Sequence, residues 1–167
     1  MAENSSIGWT DHTFNPWVGC TKVSPACDHC YAESWAKRTG SPGLWQGERR
    51  RTTASNWRQV VKWNGDAAMA GVRRRLFCTS LADMSDNQAP ASWRDDLWRL
   101  VERTPHLDWL LLTKRPQNIA KRLPGPLAGS CLPHLAHLEP LAQNADDPGP
   151  PYLRATASMP TPCTQES

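Results

Sequence analysis

The sequence predicts an α/β fold built on a parallel sheet or part of a parallel (β/α) barrel. Short apolar runs alternate with segments of helical spacing, in the order strand, helix, strand, helix, strand, helix. Polar segments bearing reactive side chains follow the predicted strands, and in parallel folds chemistry gathers at the carboxyl ends of strands. The pattern is confined to residues 1–123, and a different composition follows.

Residues 14–19 read as a short strand running into a cysteine-bearing loop. Residues 31–38 follow that loop directly and have helical composition. Residues 40–56 carry Gly, Pro and Ser together with Arg49, Arg50 and Arg51, and read as loop. Residues 57–63 read as a short helix. Residues 76–80 form a compact apolar run between Arg73, Arg74 and Arg75 and the polar stretch 83–87, which reads as a buried strand. Ser92 is placed to cap a helix whose Trp93, Leu97, Leu100 and Val101 fall at helical spacing, and Pro105 closes it. Residues 109–112 read as another buried strand, and 117–122 begin a helix after Pro116.

All nine Trp lie at or before Trp109, whereas nine of the fifteen Pro lie at or after Pro124. Proline removes a backbone donor and fixes φ, so residues 124–167 are expected to be mostly disordered, apart from a short helical turn at 132–138. Charge divides at the same place: residues 1–123 carry 18 Lys and Arg against 12 acids, and 124–167 carry one against four. The amino terminus lacks the basic start and apolar core of a signal peptide, and no apolar run is long enough to span a bilayer. A soluble cytoplasmic protein with no membrane partner is expected. In a reducing compartment, clustered cysteines point to metal rather than disulfides.

The chemistry concentrates in 19–32. Cys27 and Cys30 are three apart, so their thiolates can converge, and Pro25 can fold the loop to bring Cys20 back. Thiolates suit iron–sulfur clusters or zinc. Four thiolates saturate a four-iron cluster, so three leave one iron open to a substrate or cofactor. Zinc would need a fourth ligand, which His12 or His29 can supply. Lys22 is placed to stabilise thiolate charge. Cys78 reads as a small buried residue inside a strand, and Cys131 and Cys163 lie in the tail.

Two further features carry weaker signals. The Arg runs at 49–51 and 73–75, with Trp45, Trp57 and Trp63 nearby, are the composition of a nucleic-acid surface, although such runs are commonly solvated and such Trp residues commonly core. Lys114 and Arg115 end a predicted strand, where they can hold an anionic group of a substrate or cofactor.

The stretch Cys27-Asp28-His29-Cys30-Tyr31-Ala32 resembles the end of the cluster loop of radical S-adenosylmethionine enzymes. Residues 7–11 and 14–20, the segment Ser80-Leu81-Ala82-Asp83-Met84-Ser85-Asp86, and Leu111-Leu112-Thr113-Lys114-Arg115-Pro116 are similar to an uncharacterised family of phage and bacterial proteins related to those enzymes by the same loop. The resemblance covers about residues 5–123. It implies a partial radical-type barrel of about three β/α units. It also implies a [4Fe-4S] cluster on Cys20, Cys27 and Cys30, with S-adenosylmethionine bound through its amine and carboxylate to the open iron. Tyr31, Ser80, Asp83 and Lys114 then lie on the cofactor side, and a flavodoxin or ferredoxin supplies the electron that yields a 5′-deoxyadenosyl radical. Some relatives act on nucleic acid, which makes it a candidate substrate. Here six residues rather than three separate the first two cysteines, and the usual Gly-Gly-Glu after the second strand is absent, leaving that zone to Ser80 or Asp83. The strand–helix pattern stops at Leu123, which reads as a truncated or frameshifted family member, with poor solubility and weakened activity expected.

Overall fold

A computed structural model describes residues 2–122 and the backbone of Leu138–Leu141 and Tyr152–Ala155. In chain order the elements are β1 His12–Phe14, β2 Trp17–Val18, α1 Tyr31–Arg38, β3 Arg50–Arg51, α2 Ala54–Met69, β4 Arg74–Cys78, α3 Ala91–Glu102, β5 Leu107–Leu112, α4 Ile119–Arg122, β6 Leu138–Leu141 and β7 Tyr152–Ala155. Three 3-10 turns, Pro25–Cys27, Pro42–Trp45 and Pro116–Asn118, join them.

Side chains alternate across a strand, and the core follows that period. Leu76 and Cys78 of β4, Trp109 and Leu111 of β5, and Phe14 of β1 pack with Val60 and Trp63 of α2 and Leu97 and Leu100 of α3. Spacings of three and four place those helical residues on one stripe. The intervening Phe77 and Leu110 are also buried, and Trp9 meets the Phe77 ring edge-on at 4.8 Å. Both faces of the sheet are therefore covered, as parallel strands require.

The sheet runs in the order β1-β4-β5-β7-β6. The first three strands are parallel, in a register that aligns Phe14 with Cys78 and Cys78 with Leu111. Helices fill both crossovers, so the α/β expectation with parallel strands in sequential order holds. All three carboxyl ends consequently lie on one side. β2 and β3 form a separate antiparallel ribbon.

Element boundaries depart from the sequence reading in definable ways. The strand expected at 14–19 divides: β1 ends at Phe14, and Trp17 and Val18 pair with Arg51 and Arg50, inside a stretch read as loop. The helix expected at 57–63 runs over Ala54–Met69. β4 begins at the exposed Arg74, two residues before the apolar run. Pro90, not Ser92, stands at the α3 N-cap, and Ser92 lies in the first turn. In the tail, β7 pairs antiparallel with β5 and β6 with β7, so strands occupy segments whose composition suggested disorder. Pro140 is tolerated because β6 is outermost, where an absent backbone donor breaks no inner ladder. Of the turn expected at 132–138, Leu138 lies in β6; its other residues and the rest of the tail lie outside the described residues, as do Cys131 and Cys163.

Candidate functional site

The segments following β1, β4 and β5 meet, and the cysteine loop closes over them. Gly19 fixes where that loop starts. Its φ is +110°, and a Cβ there would stand 2.3 Å from the Glu48 carbonyl oxygen, so only glycine fits. The Gly19 and Cys20 amides donate to the Leu81 and Leu44 carbonyls at 3.0 and 2.8 Å. Pro25 opens the 3-10 turn that ends at Cys27, and Cys30 is the N-cap residue of α1. Cys20, Cys27 and Cys30 are free thiols, and together with Tyr31, Ser80, Asp83, Lys114 and Arg115 they line one pocket of about 50 Å³.

The β1 and β4 ends are joined through Asn15. Its amide Nδ2 donates to Ser80 Oγ at 2.9 Å, and its Oδ1 accepts from the Leu81 amide at 2.7 Å. The Tyr31 hydroxyl donates to the Ser80 carbonyl, which ties α1 to the same corner. Thr79 makes the turn with φ +67°, an unusual value for a β-branched residue. It is fully buried, and its hydroxyl donates to the Cys78 and Leu112 carbonyls at 2.7 and 3.2 Å.

Asp83 braces the β5 end. Its Oδ1 accepts from the Ser85 amide at 2.8 Å and the Thr113 hydroxyl at 2.7 Å. Its Oδ2 accepts from the Lys114 amide at 2.9 Å and lies 3.1 Å from the Arg115 guanidinium. A carboxylate offers about four lone-pair sites, so Asp83 is saturated and acts as a brace. Arg115 in turn donates to Cys20 Sγ at 3.4 Å and the Thr21 carbonyl at 3.0 Å, and lies 3.7 Å from Asp86. Asp86 holds Arg49 at 2.5 Å, and Arg49 reaches the Thr21 hydroxyl at 2.9 Å. Lys114 Nζ donates to the Ala26 carbonyl at 2.8 Å, next to Cys27. The cysteine loop is thus held at both ends by cations from distant segments.

These surroundings differentiate the thiols. Burial pushes the Cys20 thiol up, partly offset by the hydrogen bond and charge of Arg115. Burial also opposes the Cys27 thiolate, but hydrogen bonds from Val23 and Ser24 and the charge of Lys114 outweigh it, and the thiol lies below its usual value. Burial works against the Arg115 charge too, and Cys20, Asp83 and Asp86 overcome it.

Among the described residues no group of three or more His, Cys, Asp or Glu side chains is set closely enough to hold a single metal ion. One zinc needs Zn–S distances of about 2.3 Å to every thiolate. A four-iron cluster takes each thiolate on a different iron, so its ligands stand further apart. Three thiols around one pocket, flanked by Lys114 and Arg115, fit that donor set.

Several sequence-based expectations are corrected here. His12 is not a fourth ligand. It lies in β1 with its ring stacked on Trp63 at 4.4 Å, and it lines a separate cavity with Glu3, Asp11 and Asp66. His29 is exposed and does not line the cysteine pocket. Lys22 is paired with Asp28, and it also lines the cysteine pocket with its charge felt at Cys27, so its expected place beside the thiols stands. Five of the six arginines in the two runs are paired with acids: Arg49 with Asp86, Arg51 with Asp96, Arg73 with Asp108, and Arg74 and Arg75 with Asp11. Trp63 is 2% exposed, Trp57 packs against the main core, and Trp45 packs on Leu44 and its neighbours, so these rings are engaged in packing. Cys78 is fully buried, as expected for a packing residue. Asn15, Asp86 and Arg49 were missed as site residues. Asp86 alone had a local signal, its place in the polar stretch 83–87 after a predicted strand, whereas Asn15 fell inside the strand expected at 14–19.

A family model described as a protein of unknown function (DUF5131) matches residues 4–144. The chain belongs to this family. The DUF5131 match takes in every residue lining the cysteine pocket and runs on through β6, past the composition break at Leu123. No curated protein and no solved structure matches the chain. Among the described residues no helix is long and apolar enough to cross a membrane.

Proposed function

We propose that this chain is an iron–sulfur protein of the radical S-adenosylmethionine type, with Cys20, Cys27 and Cys30 as cluster ligands and its three parallel strands as the first units of a (β/α) barrel. One observation carries the reading: three thiols up to ten residues apart in sequence line one pocket beyond the carboxyl ends of the parallel strands β4 and β5. When bound, a four-iron cluster with one open iron supplies the electron that cleaves a carbon–sulfur bond of S-adenosylmethionine. An external flavodoxin- or ferredoxin-type donor replenishes that electron.

The protein's part is holding and positioning. Cys27, with the lowered thiol, gives up its proton more readily than Cys20. Lys114 stands at the pocket wall as a cation for a cofactor carboxylate. Ser80 and Tyr31 line the same wall with hydroxyl groups, and Asp83 keeps the Thr113–Lys114–Arg115 turn in place. Small-molecule sites occupy roughly 300–1,000 Å³. The pocket of about 50 Å³ therefore has to widen when a cofactor enters. The substrate's class is left open by these residues; nucleic acid receives no special support, since the Trp rings are engaged in packing and the Arg runs in ion pairs.

The test is reconstitution with iron and sulfide in the absence of oxygen. About four irons and four sulfides per chain are expected, with a spectrum perturbed by S-adenosylmethionine. Cys27→Ala should lose them, and Cys78→Ala should keep them. A chain that retains only zinc, or iron uptake unaffected by Cys27→Ala, overturns the assignment.

A further inference from the structure

We propose that Arg115 sets the reduction potential of this centre by donating a fixed hydrogen bond to the Cys20 sulfur; the inference rests on the cluster reading above. The guanidinium is 5% exposed, and its Nη1 lies 3.4 Å from Cys20 Sγ. It cannot swing away. Asp83 holds Nη1 at 3.1 Å, the Thr21 carbonyl accepts from Nη2 at 3.0 Å, and Asp86 stands 3.7 Å from the same nitrogen. Asp86 is itself fixed by Arg49 at 2.5 Å and by the Gln88 amide at 3.0 Å. An arginine side chain keeps its charge at all working pH values, so it is a constant source of positive potential.

Hydrogen bonds to ligand sulfurs and local charge are the protein's means of setting a cluster potential. Reduction adds negative charge to the cluster. A buried cation bonded to one ligand sulfur stabilises the reduced state more than the oxidised one, and raises the potential. Lys114, the other cation on this wall, donates to the Ala26 carbonyl and not to a thiol sulfur. Arg115 is therefore a positioning and tuning residue that acts through Cys20. Its role differs from that of an anchor for an anionic substrate, which would move substrate affinity and leave the potential of the resting protein unchanged.

The experiment is an optical and paramagnetic-resonance redox titration of the reconstituted chain without S-adenosylmethionine, alongside iron and sulfide counts. Arg115→Met should shift the reduced-to-oxidised ratio at a fixed potential at least tenfold toward oxidised, or about 59 mV downward for one electron. Arg115→Lys keeps the charge and loses the forked donor, and should shift it in the same direction by less. A variant with full iron and an unchanged potential overturns the tuning role while the cluster reading stands. A wild-type chain that takes up no iron and sulfide removes both. If Arg115→Met does not fold, because Asp83 and Asp86 lose their cation, Arg115→Lys decides: an unchanged potential there overturns the proposal.

Discussion

Asp83→Asn isolates the brace beneath the site. The carboxylate is 4% exposed and accepts from two amides and a hydroxyl, with the Arg115 guanidinium 3.1 Å away. An asparagine presents one carbonyl oxygen and one NH₂ where two acceptors were required. Two donors then face another donor, and Arg115 keeps only the more distant Asp86 at 3.7 Å. Removing one partner of a buried charge pair costs about 3–5 kcal/mol, because the remaining charge stays buried without compensation. Asp86 retains part of that compensation, which places the loss near the lower end, at about 3 kcal/mol. For a domain of this size about 1 kcal/mol shifts the melting midpoint by roughly 2–4 °C, so a fall of about 6–12 °C is expected. Urea and thermal unfolding, followed by circular dichroism on wild type and variant, provide the measurement. A loss under about 1 kcal/mol, the range of an exposed pair, would refute the buried brace.

Gly19→Ala should be strongly destabilising despite the small added group. The new Cβ would meet the Glu48 carbonyl oxygen at 2.3 Å, and φ +110° is strained for any L side chain. Backbone strain alone costs about 1–3 kcal/mol. Because the strain falls beside Cys20, iron uptake should drop with the urea midpoint; a variant with wild-type values for both shows that the loop entry is not constrained. His12 gives a pH signature. Burial holds its imidazole below the usual 6.5, against the opposing charges of Asp11, Glu3 and Asp66. The unfolded chain therefore binds a proton that the folded chain resists, and stability declines as pH falls from about 6.5 toward the folded value. His12→Phe keeps the stack on Trp63 and removes the buried, unpaired Nδ1. Urea midpoints at about pH 7 and pH 5 should converge in that variant relative to wild type; an unchanged difference assigns the acid sensitivity to other groups.

The features legible in sequence were those with a local period. α1 lies where its composition placed it, and the α3 residues Leu97 and Leu100 stand in the core as helical spacing implied. Apolar runs located the buried halves of β4 and β5 but not the exposed start of β4, where Arg74 and Arg75 pair with Asp11 beyond the sheet's covered faces. α2 extends past Trp63 through Gly65, Asp66 and the small buried Ala67 to the exposed Met69, residues whose types carry little burial signal. The cysteines, Ser80, Asp83 and Lys114 were legible as members of one site because parallel strands in sequential order bring their carboxyl ends together. Their roles within it were not. Asp83 looked like an open ligand, and three hydrogen bonds with one ion pair, all but the Ser85 amide from about 30 residues away, make it a brace. Arg49 looked like a solvated phosphate contact, and its partner Asp86 is 37 residues away. Buried ion pairs leave no periodic trace, since pattern reading assigns charges to the surface.

That buried network also bears on what the cysteine loop is for. Arg49, Asp86, Arg115 and Asp83 alternate in sign, with contacts of 2.5, 3.7 and 3.1 Å along the chain of four. Two guanidinium groups and two carboxylates neutralise each other. The loop hangs on them through the Thr21 carbonyl and hydroxyl, and on Lys114 through the Ala26 carbonyl. A structural zinc site contributes the folding energy of its loop outright, and such loops lack this internal support. Here protein groups already hold the loop, and the thiols, none of them in a disulfide, line one pocket. A centre bound there would owe its position to the fold rather than provide it, which is the arrangement expected where the metal group serves chemistry.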